Sequence, residues 1–165
     1  MTLGQFTEAK LLVPRLLSDR QADAIQELTR RLEGTGRIGN APAFVEAVLK
    51  REVEMPTFID GVAVPHVRGG AVSKLSVAVG TCDAGILWGR DGRHVAQIVF
   101  LFAVPLTETN TYLSLLSGVS SLIQDEMAFS ALKRATQPEE MHSVLNAIHL
   151  IQITARPGVA RITTR

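Results

Sequence analysis

Residues 95–104 run without a single charge, and Gln97 is the one polar side chain among them. Valine, isoleucine and phenylalanine dominate the stretch, polar turn residues precede it and Pro105 follows it. An apolar run of this length, rich in β-branched and aromatic residues, reads as a strand buried on both faces. A strand of that kind needs a packed layer on each side of its sheet. That requirement excludes a helical bundle and an open sheet with one wet face.

The flanking segments supply the layers. Ala22, Ile25, Leu28 and Leu32 recur at helical spacing within about 20–33, Ser18 and Gln21 are spaced as a capping box, and Gly34 stops the run. A second helix is expected over about 41–51, with Asn40 as cap and Pro42 in the first turn, where its missing N–H costs little. Short strands are expected at 62–64, 75–79 and 86–88, and Asp91-Gly92 is a hairpin signal leading into the long strand. Helices return at 110–124, apolar enough to be central, at 126–135, and from a Thr136–Glu139 capping box with Pro138 in its first turn through Ile148. This order predicts an α/β fold in one domain over 1–150: a mixed, mostly central sheet with helices on both faces. Residues 151–165 are β-branched and basic and read as an edge strand or a frayed tail.

Composition narrows the function classes. Seventeen basic and 16 acidic residues leave a net charge of +1, so nothing marks a nucleic-acid surface. The longest apolar run, 98–105, is far short of the ~20 residues of a membrane helix. The first ten residues lack the basic-then-apolar pattern of a signal peptide, and a cytoplasmic protein is expected. The single cysteine, Cys82, precludes an intramolecular disulfide and reads as inert, in a turn beside Asp83. The four histidines show no metal-ligand spacing, and no metal site is expected. No phosphate-cradling glycine loop or nucleophile elbow is present. Trp88, Phe100 and Phe102 read as packing on the sheet.

The segment Gly61-Val62-Ala63-Val64-Pro65-His66 stands apart. A short apolar strand meets a proline that fixes φ, and a histidine follows where the strand should emerge. An imidazole in that place can serve as base, metal ligand or nucleophile, or simply pack. Upstream, Arg51-Glu52 closes the second helix. Arg51 reads either as a solvated end charge favoured by the helix dipole or as an anion clamp.

Taken with Pro56-Thr57, Ile86-Leu87-Trp88, the block 99–105 and Leu113-Ser114-Leu115-Leu116, these pieces resemble the EIIA component of the phosphoenolpyruvate-dependent phosphotransferase system, of the fructose/mannitol and nitrogen-regulatory type. The resemblance covers about 5–148 and rests chiefly on the Gly-Val-Ala-Val-Pro-His block with its upstream Arg-Glu. It implies that His66 accepts a phosphoryl group from the histidine phosphocarrier HPr. His66 would then pass it to a cysteine of an EIIB component or keep it as a regulatory mark. Arg51 becomes the phosphate clamp, Thr57 offers a hydroxyl, and Val62, Val64 and Phe58 wall off water. No metal or organic cofactor is required.

Two departures from the family pattern bear on mechanism. Tyr112 stands where many members carry a second histidine, and a phenol offers a hydrogen bond but no charge at neutral pH. Asp60 stands close to His66 in sequence, where small residues are common. These departures keep a second expectation alongside the carrier. That alternative is a regulatory module binding a transporter or kinase through the face around His66.

Overall fold

The computed structural model describes residues 1–69, 71–156 and 159–163. A central sheet is built from β1 (Leu12–Val13), β2 (Phe58–Ile59), β3 (Val62–Ala63), β4 (His66–Arg68), β5 (Ser76–Trp88) and β6 (His94–Val104). Its order is β1-β5-β6-β3-β2, and β4 also pairs with β6. The β5–β6 and β2–β3 pairs are antiparallel, whereas β1–β5, β3–β6 and β4–β6 are parallel. The sheet is mixed, as the α/β reading expects.

The apolar run is β6, and its alternation divides the core. Ile98, Phe100, Phe102 and Val104 point to one face, and Val99, Leu101 and Ala103 to the other, all at most 1% exposed. Helices α1 (Gln21–Gly34) and α2 (Ala41–Glu54) cover the second face through Ile25, Leu28, Leu32, Phe44 and Val48. Helices α3 (Thr109–Gln124), α4 (Glu126–Arg134) and α5 (Pro138–Asn146) cover the first through Leu115, Val119, Leu122, Leu132, Met141 and Leu145. Period-2 alternation in the strand thus meets period-3.6 stripes on both sides.

Several local expectations change. The segments 75–79 and 86–88 are one strand, β5, with a register irregularity between Thr81 and Ile86, so Cys82 lies in a strand. Helix α3 fully buries only Ser114, Leu115, Gly118, Val119 and Leu122, and the hydroxyls of Ser114, Ser117 and Ser121 donate to its own carbonyls. The N-terminal strand β1, parallel to β5, has no sequence signal, being two residues long. Neither capping box forms. Arg20 is the N-cap of α1, Ser18 bonds Glu27, and Gln21 accepts from the Gly89 N–H. Gln137 is the N-cap of α5, and Thr136 bonds Glu140 instead of Glu139. Asn40 does cap α2, accepting from the Ala43 N–H at 3.2 Å.

The tail does not join the central sheet. It forms its own antiparallel hairpin, β7 (Gln152–Arg156) with β8 (Val159–Thr163). The N–H groups of Ile151 and Ile153 donate to the hydroxyls of Ser117 and Ser114 on α3, at 3.0 and 3.1 Å. No helix among the described residues is long and apolar enough to cross a membrane.

The turn ahead of the histidine block explains both Asp60 and Gly61. β2 and β3 pair Ile59 with Val62, leaving a two-residue loop in which Asp60 has φ 48° and Gly61 φ 82°. Positive φ at both positions is the type I′ requirement, met by the Asp-Gly pair. A Cβ at Gly61 would meet nothing nearer than 3.9 Å, so its cost is conformational. Gly61→Ala is expected to destabilise the protein by about 1–2 kcal/mol, and Gly61→Asn by less, in urea unfolding.

Candidate functional site

β3 and β4 run along the same side of β6 in one register, Val62 opposite Ile98 and His66 opposite Phe102. The ladder is interrupted between them, because Pro65 has no N–H to give. Pro65 still accepts from the Phe102 N–H at 3.0 Å, but Val64 turns away from β6. Its N–H donates to the Thr57 carbonyl at 2.9 Å, and its carbonyl lies 3.2 Å from His66 Nδ1. The sequence expectation placed His66 at a strand exit. The structure places it at the start of a resumed edge strand.

The other ring nitrogen meets Arg51. Arg51 Nε lies 2.8 Å from His66 Nε2. A guanidinium can only donate, so Nε2 accepts, and the ring proton sits on Nδ1 and is donated to Val64. Both ends of the imidazole are therefore assigned, with the Nε2 lone pair on the solvent side. Burial holds the His66 pKa below the ordinary 6.5. The Val64 hydrogen bond and the Glu52 charge raise it in part, and Arg51 lowers it further. The ring is neutral at pH 7 and able to act as a nucleophile.

Arg51 reaches the ring from the last turn of α2, a place that favours a cation. Its neighbour Glu52 points the other way, into the protein, and is 5% exposed. Three donors satisfy that buried carboxylate: the Thr57 hydroxyl, the Thr57 N–H at 3.3 Å and Trp88 Nε1–H at 3.2 Å. Among the described residues no cation lies within ion-pair distance of it. The Thr57 hydroxyl is thus committed to Glu52 and is not turned toward His66. Thr57 instead braces the site through its carbonyl, which holds Val64. The path Trp88–Glu52–Thr57–Val64–His66 ties the core to the ring by hydrogen bonds.

The fourth expected residue, Tyr112, stands on the first turns of α3 with its ring centroid 5.0 Å from that of His66. Burial pushes its pKa up to about 12, Glu52 adding to the rise and Arg51 opposing it, so the phenol stays protonated. Arg51, His66, Arg68, Thr109, Tyr112 and Leu113 line a cleft of about 470 Å³. Val62 and Val64 are buried in the core cluster under α3 and do not line the cleft. Phe58 instead stacks on His94, with centroids 4.8 Å apart. A separate groove of about 490 Å³ between α1 and α2, lined by Ala41, Pro42, Val45 and Leu49, shares no residue with the cleft.

The structure therefore joins His66, Arg51 and Tyr112, and redirects Thr57. Sequence reasoning passed over two residues. Glu52 was visible only as half of an Arg-Glu pair, with no sign that it faced inward. Arg68 could be placed only once the chain was known to stay extended beyond Pro65.

Comparison with known proteins shows the family and the fold. Residues 5–148 match the family described as "Phosphoenolpyruvate-dependent sugar phosphotransferase system, EIIA 2". The 2-O-alpha-mannosyl-D-glycerate-specific EIIABC component of Escherichia coli K12 is 32% identical over 88% of this chain and 23% of its own length. The fructose-specific EIIA component of Haloferax volcanii is 29% identical over 74% of this chain and 80% of that protein. The chain spans less than a quarter of the first two curated relatives, which are multidomain proteins by name. In fold it is similar to the nitrogen regulatory protein IIA-Ntr of Neisseria meningitidis, with a TM-score of 0.76, 21% identity and coverage of 86% and 97%. It is likewise similar to the mannitol IIA of E. coli, with a TM-score of 0.70, 23% identity and coverage of 84% and 97%. With 5–148 matched and the histidine block at its centre, the chain belongs to the EIIA type 2 family of the phosphoenolpyruvate-dependent sugar phosphotransferase system.

Proposed function

We propose that this chain is a phosphoryl carrier in which His66 Nε2 is the acceptor. The observation that carries the reading is the pair of hydrogen bonds on opposite ring nitrogens, Nδ1–H to the Val64 carbonyl and Arg51 Nε–H to Nε2. The donor is an HPr-like phosphohistidine protein. Nε2 attacks phosphorus, the donor's N–P bond breaks, and the donor imidazole leaves with the bonding pair. No proton has to move, because the attacking ring keeps its Nδ1–H on Val64 and becomes a phosphoimidazolium. That ring is a good leaving group, so an EIIB cysteine thiolate can take the phosphoryl group in a second in-line step. Arg51 caps the nucleophile at rest and moves onto the phosphoryl oxygens after transfer. The chemistry relies on positioning and charge neutralisation.

A complex of mannitol IIA with phosphorylated mannitol IIB is among the structures of similar fold, and it supports an EIIB acceptor. The nitrogen-regulatory fold neighbour supports a second reading, in which the same face docks a transporter or kinase with weak or no phosphotransfer. Binding of a target that is indifferent to the state of His66 distinguishes that reading from the carrier.

Incubation with phosphoenolpyruvate, enzyme I and HPr should add about 80 Da, one phosphoryl group, in an acid-labile form. His66→Ala should abolish the adduct, and Arg51→Ala should slow its formation about 10²–10³-fold. No adduct on the wild type, or an undiminished adduct on His66→Ala, defeats the proposal.

The lowered His66 pKa sets the pH profile. Protonation of Nε2 removes the nucleophile, so the phosphorylation rate should fall at low pH with a midpoint below 6.5. A midpoint above 6.5 in a rate series with phosphoramidate would contradict the buried, neutral ring.

The buried carboxylate gives a spectroscopic test. Glu52→Gln turns an amide toward the Trp88 indole and the Thr57 N–H and should cost about 1–3 kcal/mol in urea unfolding. Because Trp88 is the only tryptophan, its emission should shift in the folded variant. Unchanged emission and stability would remove Glu52 from the bracing path.

A further inference from the structure

Arg68 is the cation in the cleft that the two-residue picture leaves without work. β4 keeps the register of β3, so Val62, Val64, His66 and Arg68 share one face of the sheet. Val62 and Val64 pack in the cluster under α3, and Val67, one residue out of phase, packs in the opposite cluster under α1 and α2. Residues two apart on a strand have their Cα atoms about 7 Å apart, well within the reach of an arginine side chain. Arg68 is solvent-exposed and lines the same cleft as Arg51 and His66. Its recorded partner is a neutral one, the Thr109 hydroxyl on the first residue of α3, at 2.5 Å. Among the described residues no carboxylate lies within ion-pair distance of it. Glu108, the nearby N-cap residue of α3, accepts from the Thr111 hydroxyl at 3.0 Å.

The chemistry of a loaded ring calls for such a group. A phosphoryl group on Nε2 presents three oxygens and a charge of about −1.5 to −2. Arg51 can grip two oxygens with one fork. Tyr112 stays protonated and can add only a neutral hydrogen bond. The third oxygen and the second charge remain uncompensated by these two residues.

We propose that Arg68 is a second phosphoryl-binding residue, donating from β4 to the oxygen that Arg51 leaves free. The proposal rests on His66 as phosphoacceptor. Arg68 keeps or exchanges its Thr109 bond as the phosphoryl group arrives, and no bond beyond hydrogen bonds changes at Arg68. The site is then a clamp of two guanidiniums from different elements, α2 and β4, closing on phospho-His66.

The test uses the full chain with two phosphoryl donors: phospho-HPr, and phosphoramidate, which has no docking surface. Arg68→Gln should slow adduct formation about tenfold or more with both donors. Arg68→Lys should recover part of the loss and show a displaced phosphohistidine resonance in ³¹P NMR. It also decides the case if the glutamine variant fails to fold. Wild-type rates with Arg68→Gln overturn the proposal while leaving the His66 reading intact. Slowing with phospho-HPr alone also overturns it, because Arg68 would then serve docking. Absence of an adduct on wild-type protein defeats the underlying reading instead, so the two failures are distinguishable.

Discussion

The site is organised by one strand pairing, the parallel ladder of β3 and β4 along β6. Pro65 interrupts the parallel ladder between β3 and β6 without shifting its register. The Val64 peptide groups face the opposite edge, where the N–H continues the β2–β3 pairing to Thr57 and the carbonyl accepts from the His66 ring. The residue before that proline, Val64, supplies the acceptor that fixes the tautomer of His66. Because the register survives the break, the strand resumes with His66 and Arg68 on the face opposite α1 and α2.

The electrostatics divide between two adjacent helix residues. Arg51 and Glu52 differ by one position and so diverge around α2. One turns to solvent and the nucleophile, the other into the core. Glu52 carries a buried negative charge held by neutral donors from Thr57 and Trp88. Its charge opposes the Arg51 effect on His66 without touching the ring. A buried carboxylate of this kind is costly unless every acceptor is used. Here its partners belong to the loop and strand that frame the site, so the cost of its burial is offset by interactions that also position the histidine.

Much of this was legible in the sequence because it depended on local periodicity. The charge-free stretch at 95–104 demanded two layers, and the stripes in α1 and α3 supplied them. The Asn40 cap and the Asp91-Gly92 hairpin followed from turn chemistry alone. The capping boxes failed because Ser18 and Thr136 found better-placed carboxylates, Glu27 and Glu140, once the chain was folded. The first strand was invisible because two residues carry no period. The tail's β-branched composition left an edge strand and a frayed end both open, since nothing local shows that α3 offers Ser114 and Ser117 as anchors to the incoming backbone.

The sequence by itself determined the layered α/β class, written in residue type and spacing, and the resemblance carried by its histidine block implied the family and the pairing of His66 with Arg51. Only the tertiary structure decided which nitrogen of His66 carries the ring proton, that the Thr57 hydroxyl faces Glu52, and that Arg68 enters the cleft. Those facts depend on where the ladder along β6 lapses and resumes, a long-range pairing that no local pattern encodes.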